Sequence, residues 1–217
     1  MKRGCLCLVV ASFCTSLDVR AQSDVNAFTA EYVAAYDAKD AARLQALYDS
    51  QSRACIRAED KDFYDTALAA MWRQPIPPKY TATVSPVNEN NLHALETFGR
   101  FPVKPSRELH IDYQQGDDSG TVIVYLVQEN GRWRAAQPCA NEQTLKKFRD
   151  EAPERRAREA RYQALAMAIR DPLRSRLTAL LLAHKTAEAI DRYKEASGQD
   201  VQTAMFVMDQ LARQIGR

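Results

Sequence analysis

The stretch RELHIDYQQGDDSGTVIVYLVQENGRWRAAQPC, residues 107–139, decides the fold class. Alternate side chains of a strand point to the same face of a sheet. RELHIDY therefore predicts a strand with one apolar and one polar face. Its apolar face contains Leu109, Ile111 and Tyr113, and its polar face contains His110 and Asp112. This alternation indicates an antiparallel sheet with one buried face.

Two turns divide the quoted stretch into three strands. QGDDSG, residues 115–120, is rich in turn-forming residues, and Asn130-Gly131 is typical of a two-residue hairpin. Between them TVIVYLV, residues 121–127, is apolar on both faces, which predicts cover on both sides of the sheet. The last strand is expected to end at Cys139.

Before the prolines of QPIPP, residues 74–78, the apolar residues follow helical spacing. Residues 24–37 predict a first helix, and Asp40 is the predicted N-cap of a second. A third helix is expected to open at Asp60 or Asp62. The apolar positions of the first two helices are Phe28, Tyr32, Val33, Tyr36, Leu44, Leu47 and Tyr48.

Two further strands are expected between these helices and the quoted stretch. KYTATVSPV, residues 79–87, alternates through Tyr80, Ala82 and Val84. Asn90-Asn91 favours a turn, and a returning strand is expected over residues 92–101.

Three helices followed by an antiparallel sheet resemble the cone-shaped fold shared by nuclear transport factor 2, ketosteroid isomerase and the polyketide cyclase-like proteins. The similarity lies in FTAEYVAAYDAKDAARLQALYD, residues 28–49, and in YLVQENGRWRAAQPC, residues 125–139. It extends over about residues 24–141 and implies an α+β domain at residues 22–141, with three helices on a curved sheet. This fold is used by enzymes, binding proteins and assembly modules alike.

The first residues have the order of a secretory signal peptide. Lys2 and Arg3 precede a short apolar run, and small residues end at Ala21, before Gln22. The run is shorter than the roughly 20 apolar residues that a membrane-spanning helix needs. We therefore expect cleavage of residues 1–21, a periplasmic or secreted location, and no stable membrane insertion afterwards. An N-terminal core helix and lipid attachment at Cys14 are the alternatives.

Cleavage would change the cysteine count. The predicted signal peptide contains Cys5, Cys7 and Cys14, so the mature chain keeps only Cys55 and Cys139. In an oxidising compartment these two cysteines have one possible pairing, and a Cys55–Cys139 disulfide is expected. Two separate buried thiols are the alternative.

The remainder, residues 142–217, predicts a charged helical region. Residues 142–170 contain no glycine. Asp171-Pro172 predicts the start of a new helix, which Gly198 ends. A last helix is expected to bury Val201, Ala204, Val207, Met208 and Leu211.

KTAEAIDRYKEASGQDVQTAMFVMDQL, residues 185–211, resembles the helix-turn-helix in the C-terminal domain of the bacterial ribosomal stalk protein. The resemblance implies a compact helical hairpin. The lysines of that family's second helix are replaced by Gln202 and Thr203, and an exported protein does not meet the ribosome. No ribosomal function is therefore expected. The matching positions are Ala189, Ile190, Ser197, Gly198, Val201, Ala204 and Val207.

Composition and motifs argue against several classes of function. The formal net charge is only +2, which does not favour nucleic-acid binding. His93, His110 and His184 are far apart and form no HExxH motif, so neither a metal nor a cofactor is expected. The sequence has no Gly-x-Ser-x-Gly motif and no Gly-rich phosphate loop, and we assign no catalytic residue.

The candidate site is a pocket inside the cone. The resemblance implies that enzymes of this fold use Asp, His and Tyr side chains in an apolar cavity, where burial moves their pKa toward neutrality. His110 and Asp112 share one strand face and are the candidate pair, with Tyr32 and Trp72 as candidate lining. The alternative is that this polar strand face lies in solvent.

These observations lead to three hypotheses of function. The favoured one is an exported, non-catalytic protein-binding module. Exported proteins with this cone fold include immunity proteins, so the specific form of this hypothesis is a periplasmic immunity protein that neutralises a toxin. The second is a small-molecule isomerase, dehydratase or cyclase that uses His110 and Asp112. The third is a homodimeric structural module that pairs through the open face of its sheet.

Overall fold

The structure, a computed structural model, describes residues 14–72, 76–116 and 118–216, with side chains from Asp24 onward. Within these ranges the chain forms ten α-helices and a four-stranded antiparallel sheet, so the predicted mixture of helices and antiparallel sheet is confirmed. Most of the predicted signal peptide lies outside the described residues. Its last residues, from Cys14 to Ala21, form the start of the first helix, and only their backbone is described.

The first helix, α1 (Cys14–Asp37), covers the inner face of the sheet. Its apolar face is the predicted one, because Phe28, Tyr32, Val33 and Tyr36 are all buried. These side chains belong to one apolar cluster with Leu109, Ile111 and Tyr113 of the sheet. The helical and the alternating patterns of the sequence therefore meet in one core.

Short helices complete this core. α2 (Ala41–Ala46) begins as predicted at Asp40, whose carboxylate accepts the Arg43 N–H at 3.0 Å. α3 (Ser50–Ala54) follows, and a 3-10 turn at Ala58–Asp60 leads into α4 (Lys61–Met71). The carboxylate of Asp60 is buried and pairs with Arg57 and Arg149.

The sheet has the strand order β1-β3-β4-β5, and all its pairs are antiparallel. The Asn130-Gly131 turn between β4 and β5 is confirmed, since both residues have a positive φ. The ends of the strands are β1 (Tyr80–Pro86), β3 (Arg107–Gln115), β4 (Asp118–Glu129) and β5 (Arg132–Ala136).

The strand predicted over residues 92–101 is wrong. Residues Glu89–Glu96 form helix α5, because the Asn88 side chain accepts the Asn90 N–H at 3.0 Å and caps the helix. Only Gly99–Arg100 is extended, as β2, and it pairs with β6 (Cys139–Ala140) in a separate two-stranded sheet.

The expectation that both faces of residues 121–127 are covered is correct only near the end of β4. Val127 on the outer face is buried, but Ile123 on the same face is 40% exposed. The cover comes from the segment after β2, where the ring of Phe101 contacts that of Tyr125 at 5.3 Å. This segment does not reach Ile123, so the outer face remains open there.

The predicted Cys55–Cys139 disulfide is confirmed, with Cα atoms 5.4 Å apart. It joins the end of α3 to β6. Beside it, the Ser52 hydroxyl accepts the Gln137 N–H at 3.1 Å. The chain after β5 is therefore held against α3.

The C-terminal region is helical as predicted and has its own apolar cluster, formed by buried residues from Ala166 to Leu211. The single helix expected before Gly198 is in fact two helices, because the backbone turns at His184, which has φ of 57°. Val201 is 54% exposed, so its predicted burial is wrong. The helices are α6 (Glu142–Asp150), α7 (Ala152–Ala168), α8 (Leu173–Leu182), α9 (Thr186–Ser197) and α10 (Val201–Gln214).

Loss of the disulfide is expected to destabilise the protein. The two cysteines are 84 residues apart, and opening a loop of this length lowers the free energy of unfolding by about 2–5 kcal/mol. Urea unfolding with and without reductant measures the difference. The double variant Cys55→Ala/Cys139→Ala serves as control, because reductant has no bond to break in it. An unchanged unfolding midpoint of the natural protein under reduction would contradict this expectation.

Candidate functional site

The structure does not bring the four predicted pocket residues together. Tyr32 lies in the core and is only 2% exposed, and Trp72 packs beside the same core at the end of α4. The side chains of His110 and Asp112 lie on the outer face of β3, whereas those of Leu109 and Ile111 lie on the inner face. Asp112 is exposed and accepts the Thr121 hydroxyl at 2.6 Å.

His110 has a buried partner that the sequence pattern did not predict. Glu108 is 1% exposed; its carboxylate contacts His110 Nε2 at 3.0 Å and accepts the Asn88 N–H at 3.1 Å. Glu108 lies on the same strand face as His110 and Asp112, and the segment before α5 covers it. The polar strand face is therefore exposed at Asp112 and covered at Glu108. Glu108 and His110 link β3 to the start of α5.

A groove of about 680 Å³ lies elsewhere, between β4 and the C-terminal helices. Tyr36, Met71 and Tyr113 line its inner end. None of His110, Asp112, Tyr32 and Trp72 is among the described residues that line it. We call it the edge groove; its sheet wall is Ser119, Thr121, Val122 and Ile123, and its helical wall includes Leu181, Ile190, Met205 and Phe206.

The sheet wall is a free strand edge. β5 pairs with β4 only from Tyr125 to Glu129, so no described strand continues alongside residues 118–124. The Leu126 C=O accepts the Ser106 N–H at 2.9 Å, so it points to the β3 side. Because N–H and C=O groups alternate in direction along a strand, those at odd positions of β4 point away from β3.

Three of these odd positions therefore face the groove. The backbone N–H and C=O groups of Ser119, Thr121 and Ile123 have no hydrogen-bond partner in the part of the chain that the structure describes. Such a row of donors and acceptors is a template for another extended segment.

The helical wall is mostly apolar, with His184, Thr186 and Asp209 as its polar residues, and it is firmly supported. Met205 is 53% exposed at the groove. The ring of Phe206 stacks on that of Tyr162 at 4.9 Å, which fixes α10 against α7. Leu181, 1% exposed, belongs to the buried cluster beneath.

One end of the groove is closed by polar contacts between the sheet and the helices. Asp118 accepts the Thr186 hydroxyl at 3.1 Å, and His184 Nδ1 lies 3.8 Å from the same carboxylate oxygen. Gly116, with φ of 61°, lies against the His184 carbonyl, and a Cβ atom there would approach that oxygen to 2.9 Å. These contacts hold the C-terminal helices at a fixed distance from β4.

The tyrosines around the inner end are held neutral. The Tyr36 hydroxyl donates to the Met71 carbonyl, and burial raises the pKa of Tyr36. Burial also raises the pKa of Tyr113, and the charge of Asp118 adds to this effect. Among the described residues, no cluster of three or more His, Cys, Asp or Glu side chains is arranged to hold a metal ion.

No family model, curated protein or solved structure matches this chain. None of the described helices is both long enough and apolar enough to cross a membrane.

Stability is expected to fall at alkaline pH. Burial raises the pKa of Tyr48 to about 12, above the 10.0 of an exposed tyrosine. The unfolded chain therefore releases the Tyr48 proton first, and stability that is complete below pH 10 is lost as the pH rises toward 12. The contribution of this one residue to the loss is about 2–3 kcal/mol at pH 12.

Urea unfolding between pH 7 and 12 checks this prediction. Tyr48→Phe should have the same pH dependence as the natural protein up to about pH 9 and a shallower decline above pH 10. Equal declines in both proteins would show that Tyr48 ionises as readily in the folded state as in the unfolded state.

Proposed function

We propose that the protein is an exported, non-catalytic module that binds another protein. The observation that carries this proposal is the edge groove, in which unpaired backbone groups of Thr121 and Ile123 lie beside the apolar side chains of Met205 and Phe206. Backbone groups of a strand edge are one of the recurring means by which a protein recognises an extended segment of another protein.

The proposed architecture is a cone of the nuclear transport factor 2 type, carrying a helical C-terminal region. Its support is the packing of α1 on the inner face of a four-stranded antiparallel sheet, with short helices α2 to α4 along its side. In this proposal the C-terminal helices lie at the open end of the cone and form one wall of the groove.

The proposed compartment is the periplasm. The order of charge, apolar run and small residues before Gln22 supports export. The Cys55–Cys139 disulfide supports an oxidising compartment, because such bonds are rare in the reducing cytosol. For a protein of this compartment, the specific partner that we propose is a toxin, which the protein would neutralise by binding.

A small-molecule enzyme that uses His110 and Asp112 has less support. Both side chains lie on the outer face of β3, where His110 contacts Glu108 and Asp112 contacts Thr121. Neither side chain lines the edge groove. The alternative assembly is a homodimer through the open outer face around Ile123. The mass of the protein in solution distinguishes this homodimer from a monomer.

Bacterial competition tests the proposed function. A strain that lacks this gene should lose viability against a rival that delivers the cognate toxin, and the full-length gene should restore survival. The toxin encoded beside the gene should also co-purify with the mature protein, residues 22–217.

A matched control separates binding from export. The chain without residues 1–21 keeps the disulfide cysteines and the groove but should remain in the cytoplasm and give no protection. Full resistance of the deletion strain to every toxin encoded nearby, without any co-purifying toxin, would refute the proposed function.

A further inference from the structure

We propose that the edge groove binds an extended segment of the partner, which adds to the sheet as a strand beside residues 118–124 of β4. This inference rests on the proposed protein-binding function and specifies how the partner is held. The partner segment is a peptide in β conformation with apolar side chains at alternate positions.

The backbone groups of β4 select for an extended peptide. Ser119, Thr121 and Ile123 direct N–H and C=O groups into the groove at every second residue, and no described residue pairs with these groups. Only another extended backbone repeats donors and acceptors at this spacing, about 7 Å for two residues. From Ser119 to Val124 the open edge is about 17 Å long, enough for a strand of ordinary length.

The helical wall selects for apolar side chains. Alternate side chains of an added strand would point to opposite faces of the sheet. On one of these faces they would meet Met205 and Phe206 of α10, and Ile190 of α9 lines the same wall. Met205 is half exposed in the free protein, so a bound apolar side chain would remove it from water.

The position of α10 beside the groove favours a single strand over a second copy of this chain. For two copies to pair through β4, the sheet of the second copy would have to lie where α10 lines the groove. The edge of the sheet on β1 lies outside the groove, since no residue of this strand lines it.

The two free edges provide a matched pair of variants. The N–H of Thr121 faces the groove, and the N–H of Ala82 faces solvent at the edge of β1. Pro86, a natural residue of β1, has its backbone nitrogen on the same side of the strand as Ala82. Proline is tolerated where a strand N–H has no partner within the sheet. Thr121→Pro and Ala82→Pro should therefore both fold, and only Thr121→Pro removes a donor from the groove.

The helical wall offers a second pair that does not alter a strand. Met205 on α10 is 53% exposed at the groove, and Met167 on α7 is 54% exposed and does not line it. Met205→Lys should weaken peptide binding, and Met167→Lys should not. Circular dichroism and the unfolding midpoint check that all four variants fold.

The probe is a decapeptide selected from a random phage-displayed library on the mature, oxidised protein, residues 22–217. Its dissociation constant is measured by fluorescence anisotropy. We expect Thr121→Pro and Met205→Lys each to weaken binding by about tenfold or more, and the control variants to change it less than about threefold. N-methylation of successive peptide residues should weaken binding at every second position only, because alternate N–H groups face β4.

Three results would overturn the inference: no peptide is selected, the peptide binds Thr121→Pro as tightly as the natural protein, or N-methylation acts without a two-residue period. The last result would indicate a side-chain pocket instead of an added strand.

Capture of the neighbouring toxin separates this inference from the proposed function. If the natural protein and Thr121→Pro bind the toxin equally, the strand inference fails and the protein-binding function stands. If the selected peptide binds as expected but no toxin binds either protein, the strand site stands and the proposed function fails.

Discussion

A disulfide and a hydrogen bond attach the chain after β5 to α3, and this attachment sets where β5 ends. The Cys55–Cys139 disulfide and the hydrogen bond from Gln137 N–H to Ser52 turn the chain away from β4 directly after Ala136. Cys139 then pairs with β2, and the chain continues into α6. The same attachment therefore ends β5 and directs the C-terminal helices.

The open edge of β4 is a consequence of this early end. β4 runs from Asp118 to Glu129, whereas β5 pairs only with its second half. Since the core beneath β4 is already filled by α1, no further element of the described chain is needed to stabilise the sheet there. The C-terminal helices approach this edge without pairing with it, and contacts of Asp118 with Thr186 and His184 keep them at that distance. The edge groove is the result.

Sequence reasoning predicted the features that depend on neighbouring residues. The apolar face of α1, the Asp40 cap, the alternation of β3 and the Asn130-Gly131 turn are local patterns, and all are present. The disulfide was predicted from the export pattern, which left a single pair of cysteines. One error arises where a helix cap competes with a turn, because Asn88 starts a helix where a strand is expected. Contacts between distant segments are also missed, because Glu108 is buried by a segment some twenty residues before it in sequence. The edge groove was not predictable, because it depends on where β5 ends and where α10 lies.

Hydrogen exchange of the β4 amides in the isolated protein, followed residue by residue by NMR, measures whether the edge of β4 is open. In this account the N–H groups of Val122 and Val124 are bonded to β3, and those of Thr121 and Ile123 face an open groove. Exchange should therefore alternate along the strand, slow at Val122 and Val124 and fast at Thr121 and Ile123. Equally slow exchange at all four amides would mean that another segment already covers the edge, and it would contradict the account.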